Sequence, residues 1–385
     1  MYRFPLGLAV VAVHSGEYVT SLAGTASSGG ASGSLGLWVV QFLTMICRLA
    51  TPAFLVIAGF VFFRDGPVSL EAYRRKVKAR LSTLLVPYLA WNFITILFLC
   101  APAAYRHFFL APGSYNFTPM TFIELAKWIA GWPVYPADAP LWFVRDLLLL
   151  ILIVPLWNLF PKRAQAAGLG VLFVYWLAGP TDFIPGGIPR AASVFFFLAG
   201  AWLGTNRISL RAGPMVNRIT VVAATAFLLS AAASATCGTT RGDFVEVQLV
   251  LDRIVRMSGA LLVVCAGTRT SFPAWLSGPL LRLSPAAFFL FAFHYCVFSW
   301  ITSLWANFPQ GRPGAGHEVA MFALVFSTVI AVSLAFYFLL KRHAPSLLGL
   351  LDGNRSERGP EPRQVEHEVE ATPLPIVSRR VPSFE

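Results

Sequence analysis

The chain has 385 residues, of which 56% are hydrophobic and only 12% charged, with a mean hydropathy of +0.66. Soluble domains carry about 25% charged residues; half that share, together with 33 Phe and 11 Trp, excludes a soluble globular protein and predicts an all-α polytopic transmembrane helical bundle. The net charge of +12 does not point to nucleic acid, because the basic residues cluster between apolar runs instead of interleaving with stacking surfaces.

A helix needs about 20 apolar residues to cross a bilayer. In chain order, apolar runs predict about ten crossings, near 4–20, 37–63, 82–101, 141–160, 165–180, 190–204, 219–236, 249–267, 284–306 and 319–340, the fifth and sixth being short. Gly- and Pro-rich stretches separate them, such as GTASSGGASGSLG at 24–36 and PGGIP at 185–189. Residues 1–25 have the charged start and apolar centre of a signal peptide. A second long apolar run follows at once, however, and His14 and Glu17 suit a retained helix. The organisation read from this is a membrane domain over 1–345 and a polar, Pro-containing tail over 346–385, expected to be disordered and cytoplasmic. Within the tail, VEHEVE at 365–370 lacks metal-ligand spacing, so no metal site is predicted.

Lys and Arg in the connections set orientation. With the N-terminus in the cytoplasm, the inside segments hold Arg3, the six basic residues from Arg64 to Arg80, Lys162, Arg163, Arg207, Arg211, Arg218, Arg269 and Arg282. The outside segments hold Arg106, Lys127, Arg190, Arg241, Arg253, Arg256 and Arg312. This two-to-one bias places both termini inside. Cys47, Cys100, Cys237, Cys265 and Cys296 form no CxxC pair and read as small apolar fillers. The outside segment 102–140 carries Tyr105, Tyr115, Trp128, Trp132 and Tyr135, which suit an interfacial belt or stacking on sugar rings.

Five ionisable residues remain within the apolar runs: His14, Arg48, Arg145, Asp146 and His294. Such residues are costly in lipid and are functional candidates, although Arg145 and Asp146 can also pair simply to hold helices together. Arg3 and His14 are eleven steps apart, about 1100° of helical rotation, which returns them to one face about 16 Å apart. Gly7 lies near the same stripe and predicts a groove with a cation at its rim and an imidazole near the midplane. His294 should lie at a similar depth, with Arg48 and Arg145 about one and a half turns further out. A neutral His can take a proton from a hydroxyl, and a buried Arg can hold developing negative charge. Glu17, three residues after His14, can orient the imidazole or simply be a solvated helix end; the sequence favours the latter.

These residues resemble a known family. Arg3 and His14 reproduce the R-x10-H signature of the acyltransferase-3 family, integral-membrane O-acyltransferases that modify surface glycans and related acceptors. TPAFLVIAGF (51–60), KARLSTLLVPYLAWN (78–92), LWFVRDLLLL (141–150) and LSPAAFFLFAFH (283–294) are similar to further family elements in the same order. Ala58 stands where many relatives have Ser, and Phe291 where many have Tyr.

The resemblance implies no permanently bound cofactor. It implies acyl-CoA, commonly acetyl-CoA, as co-substrate and donor, a glycan or lipid-linked saccharide as acceptor, and membrane lipids as surroundings, in the bacterial inner membrane. His14 would be the general base, with Arg48, Arg145 and His294 as further catalytic candidates. Arg3, Arg74, Arg75, Lys78 and Arg80 would pair with CoA phosphates, Arg80 foremost. A transporter or flippase is the competing class, since intramembrane Arg, Asp and His also mark transport pathways.

Overall fold

The computed structural model describes residues 2–26, 34–64, 69–105, 121–132, 135–178, 189–208, 213–240, 244–267, 273–305 and 317–355. The VEHEVE stretch, the tail beyond 355, Tyr115, and the connections bearing Arg106, Arg211, Arg241, Arg269 and Arg312 lie outside these residues.

The described residues fold into fifteen α-helices: α1 (Arg3–Ala26), α2 (Leu35–Cys47), α3 (Ala50–Phe63), α4 (Leu70–Arg80), α5 (Val86–Tyr105), α6 (Phe122–Ala130), α7 (Trp142–Asn158), α8 (Lys162–Ala178), α9 (Ala191–Thr205), α10 (Pro214–Thr239), α11 (Val245–Gly267), α12 (Ala274–Leu283), α13 (Ala287–Trp305), α14 (Glu318–His343) and α15 (Pro345–Asp352). The predicted apolar runs fall largely on these helices. Six segments of the described residues are long and apolar enough to cross a membrane: Leu35–Phe63, Leu70–Phe98, Ala139–Asn158, Pro214–Thr239, Trp275–Ile301 and Glu318–His343. The protein is therefore a multi-pass membrane protein. The other four predicted runs lie on α1, α8, α9 and α11: α8 has 17 residues and α9 has 15, α11 carries Asp252, Arg253 and Arg256, and α1 carries Arg3, His14 and Glu17.

Prolines shape the helices that matter most. Pro52 has no N–H to offer the Arg48 carbonyl, and the α2–α3 segment breaks at Arg48–Leu49. Pro87 likewise cannot donate to the Thr83 carbonyl, and a wider π turn spans Leu81–Leu85 between α4 and α5. A short 3-10 turn over Ser284–Ala286, containing Pro285, leads into α13.

The core is dominated by Phe and Leu side chains from α1, α3, α5, α7, α9 and α13, with Trp91, Phe63, Phe196, Phe197 and Phe289 among the largest fully buried. Helices α3 and α9 approach most closely. Gly59 of α3 faces the Phe197–Ala201 backbone of α9, and Gly200 of α9 faces the Val56 backbone of α3. Small residues at such crossings let backbones touch and gain dispersion energy where lipid offers no hydrophobic drive.

One end of the bundle gathers the starts of α1 and α13, the π turn and α15. Gly7 packs against the Ala287 carbonyl. Trp91 Nε1 donates to the Leu351 carbonyl at 2.9 Å, and the Arg355 guanidinium lies 4.2 Å from the Phe288 ring. Helix α15 occupies the segment expected to be tail, with Leu348, Leu351 and Asp352 buried.

Candidate active site

Helix α1 carries the site. Arg3, Gly7 and His14 share one face of α1, as the eleven-residue spacing requires, and Gly7 and His14 meet α13. At Gly7, where a groove was expected, α1 lies against the Ala287 carbonyl at the start of α13, and a β-carbon there would meet it at an ordinary 3.6 Å. Seven residues further along both helices, the His14 and His294 rings stack, with centroids 5.3 Å apart and planes at 29°. The Phe298 ring meets both imidazoles edge-on, at 6.5 Å from His14 and 6.0 Å from His294. Phe291, where a phenol was looked for, packs 6.1 Å from His294 and 6.0 Å from Phe143.

The two imidazoles differ in surroundings. His294 is fully buried, and neither ring nitrogen makes a full hydrogen bond. The His14 side chain is 37% exposed, so a reactant can reach it.

Beyond His14 stands a cluster of four charged groups that the sequence reading left apart. Glu17 Oε2 is 3.3 Å from His14 Nδ1, and Glu17 Oε1 accepts from Arg48 Nη2 at 3.0 Å. Arg48 Nη1 donates to Asp252 Oδ1 at 2.8 Å, and Arg256 Nε donates to Asp252 Oδ2 at 2.6 Å. Glu17 is therefore not a bare solvated helix end. Asp252 and Arg256 are the functional candidates the sequence reading missed. Arg253 and Arg256, counted there with the outside connections, lie within α11. The i, i+4 spacing of Asp252 and Arg256 inside an apolar stretch was the available signal. Arg48 projects from the Pro52-induced break between α2 and α3, which places its guanidinium between α1 and α11.

Arg145 has different partners. Its Nη1 donates to the Gly131 carbonyl at 2.6 Å, and its Nη2 and Nε approach Asp146 Oδ1 at 3.1 and 3.3 Å. The other Asp146 oxygen accepts from Ser193 Oγ at 2.7 Å and from the Arg190 backbone N–H at 3.1 Å. This buried pair fastens α7 to the start of α9 and to the end of α6. Arg190 in turn lies over the Trp142 and Tyr135 rings, at 4.0 and 4.7 Å.

The basic candidates lie at the Arg3 end, where the π turn after α4 packs beside α15 and Arg3 itself is exposed. Arg74, Arg75 and Lys78 line an exposed face of α4; Arg75 pairs with Glu71 at 2.7 Å. Lys76 instead donates to the Phe62 carbonyl at 2.6 Å. Arg80 is half-buried and engaged within the protein.

Comparison with known proteins identifies the family. A family model described as an acyltransferase domain matches residues 3–340. The chain is 27% identical over 327 residues to the succinoglycan biosynthesis protein ExoH of Rhizobium meliloti (strain 1021), covering 83% of each chain. No solved structure matches it significantly. A match beginning at Arg3, running through His14 and His294 and ending within α14 spans nearly every helix of the bundle, and the chain belongs to the acyltransferase-3 family of membrane acyltransferases.

Proposed function

We propose that the protein moves an acyl group, acetyl in the simplest case, from acyl-CoA to a hydroxyl of a surface glycan or its lipid-linked precursor. The observation that carries this reading is His14 itself: a reachable imidazole eleven residues from Arg3 on one face of α1, in a chain of this family. The glycan acceptor follows from the likeness to a protein of succinoglycan biosynthesis.

In this reading the protein crosses the bacterial inner membrane ten times with both termini cytoplasmic, and acyl-CoA arrives at the Arg3 end. Arg3 and the exposed face of α4, with Arg74, Arg75 and Lys78, pair with the CoA phosphates, and Arg80 backs them. Phosphates favour Arg forks and Lys point charges alike. The acceptor hydroxyl meets His14, whose Nε2 takes the proton as the oxygen attacks the thioester carbonyl. The C–S bond breaks, the proton passes to the sulfur, and the products are an O-ester and CoA thiol. His294 supplies a dry face against which the His14 ring lies flat. Arg145, paired with Asp146, keeps α7 and α9 in register beside the site.

The test uses protein in lipid nanodiscs with radiolabelled acetyl-CoA and an envelope glycan extract. Label entering glycan as an alkali-labile ester, with stoichiometric thiol release, is the expected result. In sealed proteoliposomes of the same protein, glycan or lipid crossing the bilayer with no CoA consumption would establish the transporter or flippase reading instead.

A further inference from the structure

We propose that Glu17, Arg48 and Asp252 are positioning residues that fix the His14 imidazole with Nδ1 protonated and Nε2 free to act; this rests on His14 being the base. The argument starts from the Glu17 carboxylate. One oxygen faces His14 Nδ1 at 3.3 Å and the other is held by Arg48 at 3.0 Å. A carboxylate held at both oxygens cannot swing away, and it accepts only. Nδ1 must therefore bring the proton to that contact, which in the neutral imidazole, the form that acts as a base, leaves the lone pair on Nε2.

The anchor is triangulated from three parts of the chain. Glu17 comes from α1, Arg48 from the break between α2 and α3, and Asp252 from α11. Asp252 grips Arg48 at 2.8 Å and is itself gripped by Arg256 at 2.6 Å. Two carboxylates and two guanidiniums balance, so Glu17 is pinned without surplus charge beside the imidazole. The ring cannot turn over, because the His294 ring covers its face at 5.3 Å and the Phe298 edge closes on it. Arg48 has both terminal nitrogens committed to carboxylates and its Nε buried without a partner. It thus acts through Glu17 and not as a donor to the developing oxyanion.

The arrangement parallels the hydrolase triads in logic: a base whose far nitrogen is held by a carboxylate loses several orders of magnitude when the wrong tautomer is allowed. The test is 15N-histidine solid-state NMR of the full chain in nanodiscs, with the His14 signal among six histidines assigned by its loss in His14→Gln. The wild-type His14 signal is expected from the Nδ1–H tautomer alone. Glu17→Ala should give a mixture of tautomers and a kcat about 10²–10³ times lower at unchanged KM for acetyl-CoA. Glu17→Asp, which keeps the charge, should retain the wild-type tautomer. Arg48→Gln should fall in kcat in the same direction, and adding it to Glu17→Ala should cost less than about threefold more, because both act through one carboxylate. A wild-type tautomer in Glu17→Ala overturns the inference whatever the activity. Acyl transfer surviving in His14→Ala overturns instead the assignment of the base, and the NMR result distinguishes the two failures.

Discussion

Replacing Gly200 by Val tests the seam that holds the bundle together. A β-carbon at this position would lie 2.8 Å from the Val56 carbonyl carbon and closer still to its oxygen. Non-bonded carbons prefer about 3.5–4.0 Å, so α9 must part from α3 by roughly 0.7 Å or more before the two Val methyls are accommodated. The atoms in the way are backbone of a neighbouring helix, which cannot rotate aside as a flexible side chain can. Gly59, on the opposite side of the same crossing, is fixed against the Phe197–Ala201 backbone and loses its close contact as the helices part. Overpacking of this kind costs about 1–3 kcal/mol, and the parted seam adds lost dispersion contacts, for about 2–4 kcal/mol in all. Thermal unfolding in detergent can be followed with a thiol-reactive dye, since Cys265 and Cys296 are buried free thiols. The midpoint should drop by on the order of 3–5 °C. Gly170→Val is the control: it makes the same change in an α8 position where a β-carbon meets nothing within 4 Å. A Gly200→Val midpoint no lower than that of Gly170→Val would refute the reasoning.

His294→Leu removes two buried ring nitrogens that lack full hydrogen bonds, so stability should change by less than about 1 kcal/mol while kcat falls; a large loss of stability would show that the ring is satisfied by partners the account omits. Replacing Arg74, Arg75 and Lys78 together by Gln should raise the KM for acetyl-CoA with kcat nearly unchanged, as expected for binding that is equal in ground and transition states. In α6, the Thr121 backbone N–H and hydroxyl hold the Glu124 carboxyl below its ordinary range, so this cap contributes above the ordinary carboxylate value and is lost as pH falls through the lowered one. Amide-exchange protection in α6, corrected for intrinsic rates, should therefore decline toward low pH in the wild type and be lower and less pH-dependent in Thr121→Ala.

Much of the bundle was legible because hydropathy is a property of the local chain. The apolar runs gave helices, and the eleven-residue interval between Arg3 and His14 gave a face that does meet His294 across α13. What was not legible depended on partners far away in sequence. Arg48 lies 31 residues from Glu17 and 204 from Asp252, and no local pattern sets such a distance. Reading charge as a mark of connections also counted Arg253 and Arg256 with the outside connections, although they lie within α11, beside Asp252. Helix α15 escaped notice because PSLLGLLD is too short to read as a crossing, yet its carbonyl at Leu351 satisfies Trp91. Proline was under-read as well: Pro52 and Pro87 were visible, but their effect is felt four residues earlier, at Arg48 and Thr83.

The central claim is that His14 takes the acceptor's proton. Single-turnover acetyl transfer by His14→Gln, in protein shown by titration to bind acetyl-CoA as the wild type does, tests it most directly. General-base catalysis of this kind is worth about 10²–10⁴-fold, so the account predicts a transfer rate at least about 10² times slower with binding preserved. A rate within about threefold of the wild type would contradict it, since no general base worth that factor could then reside at His14.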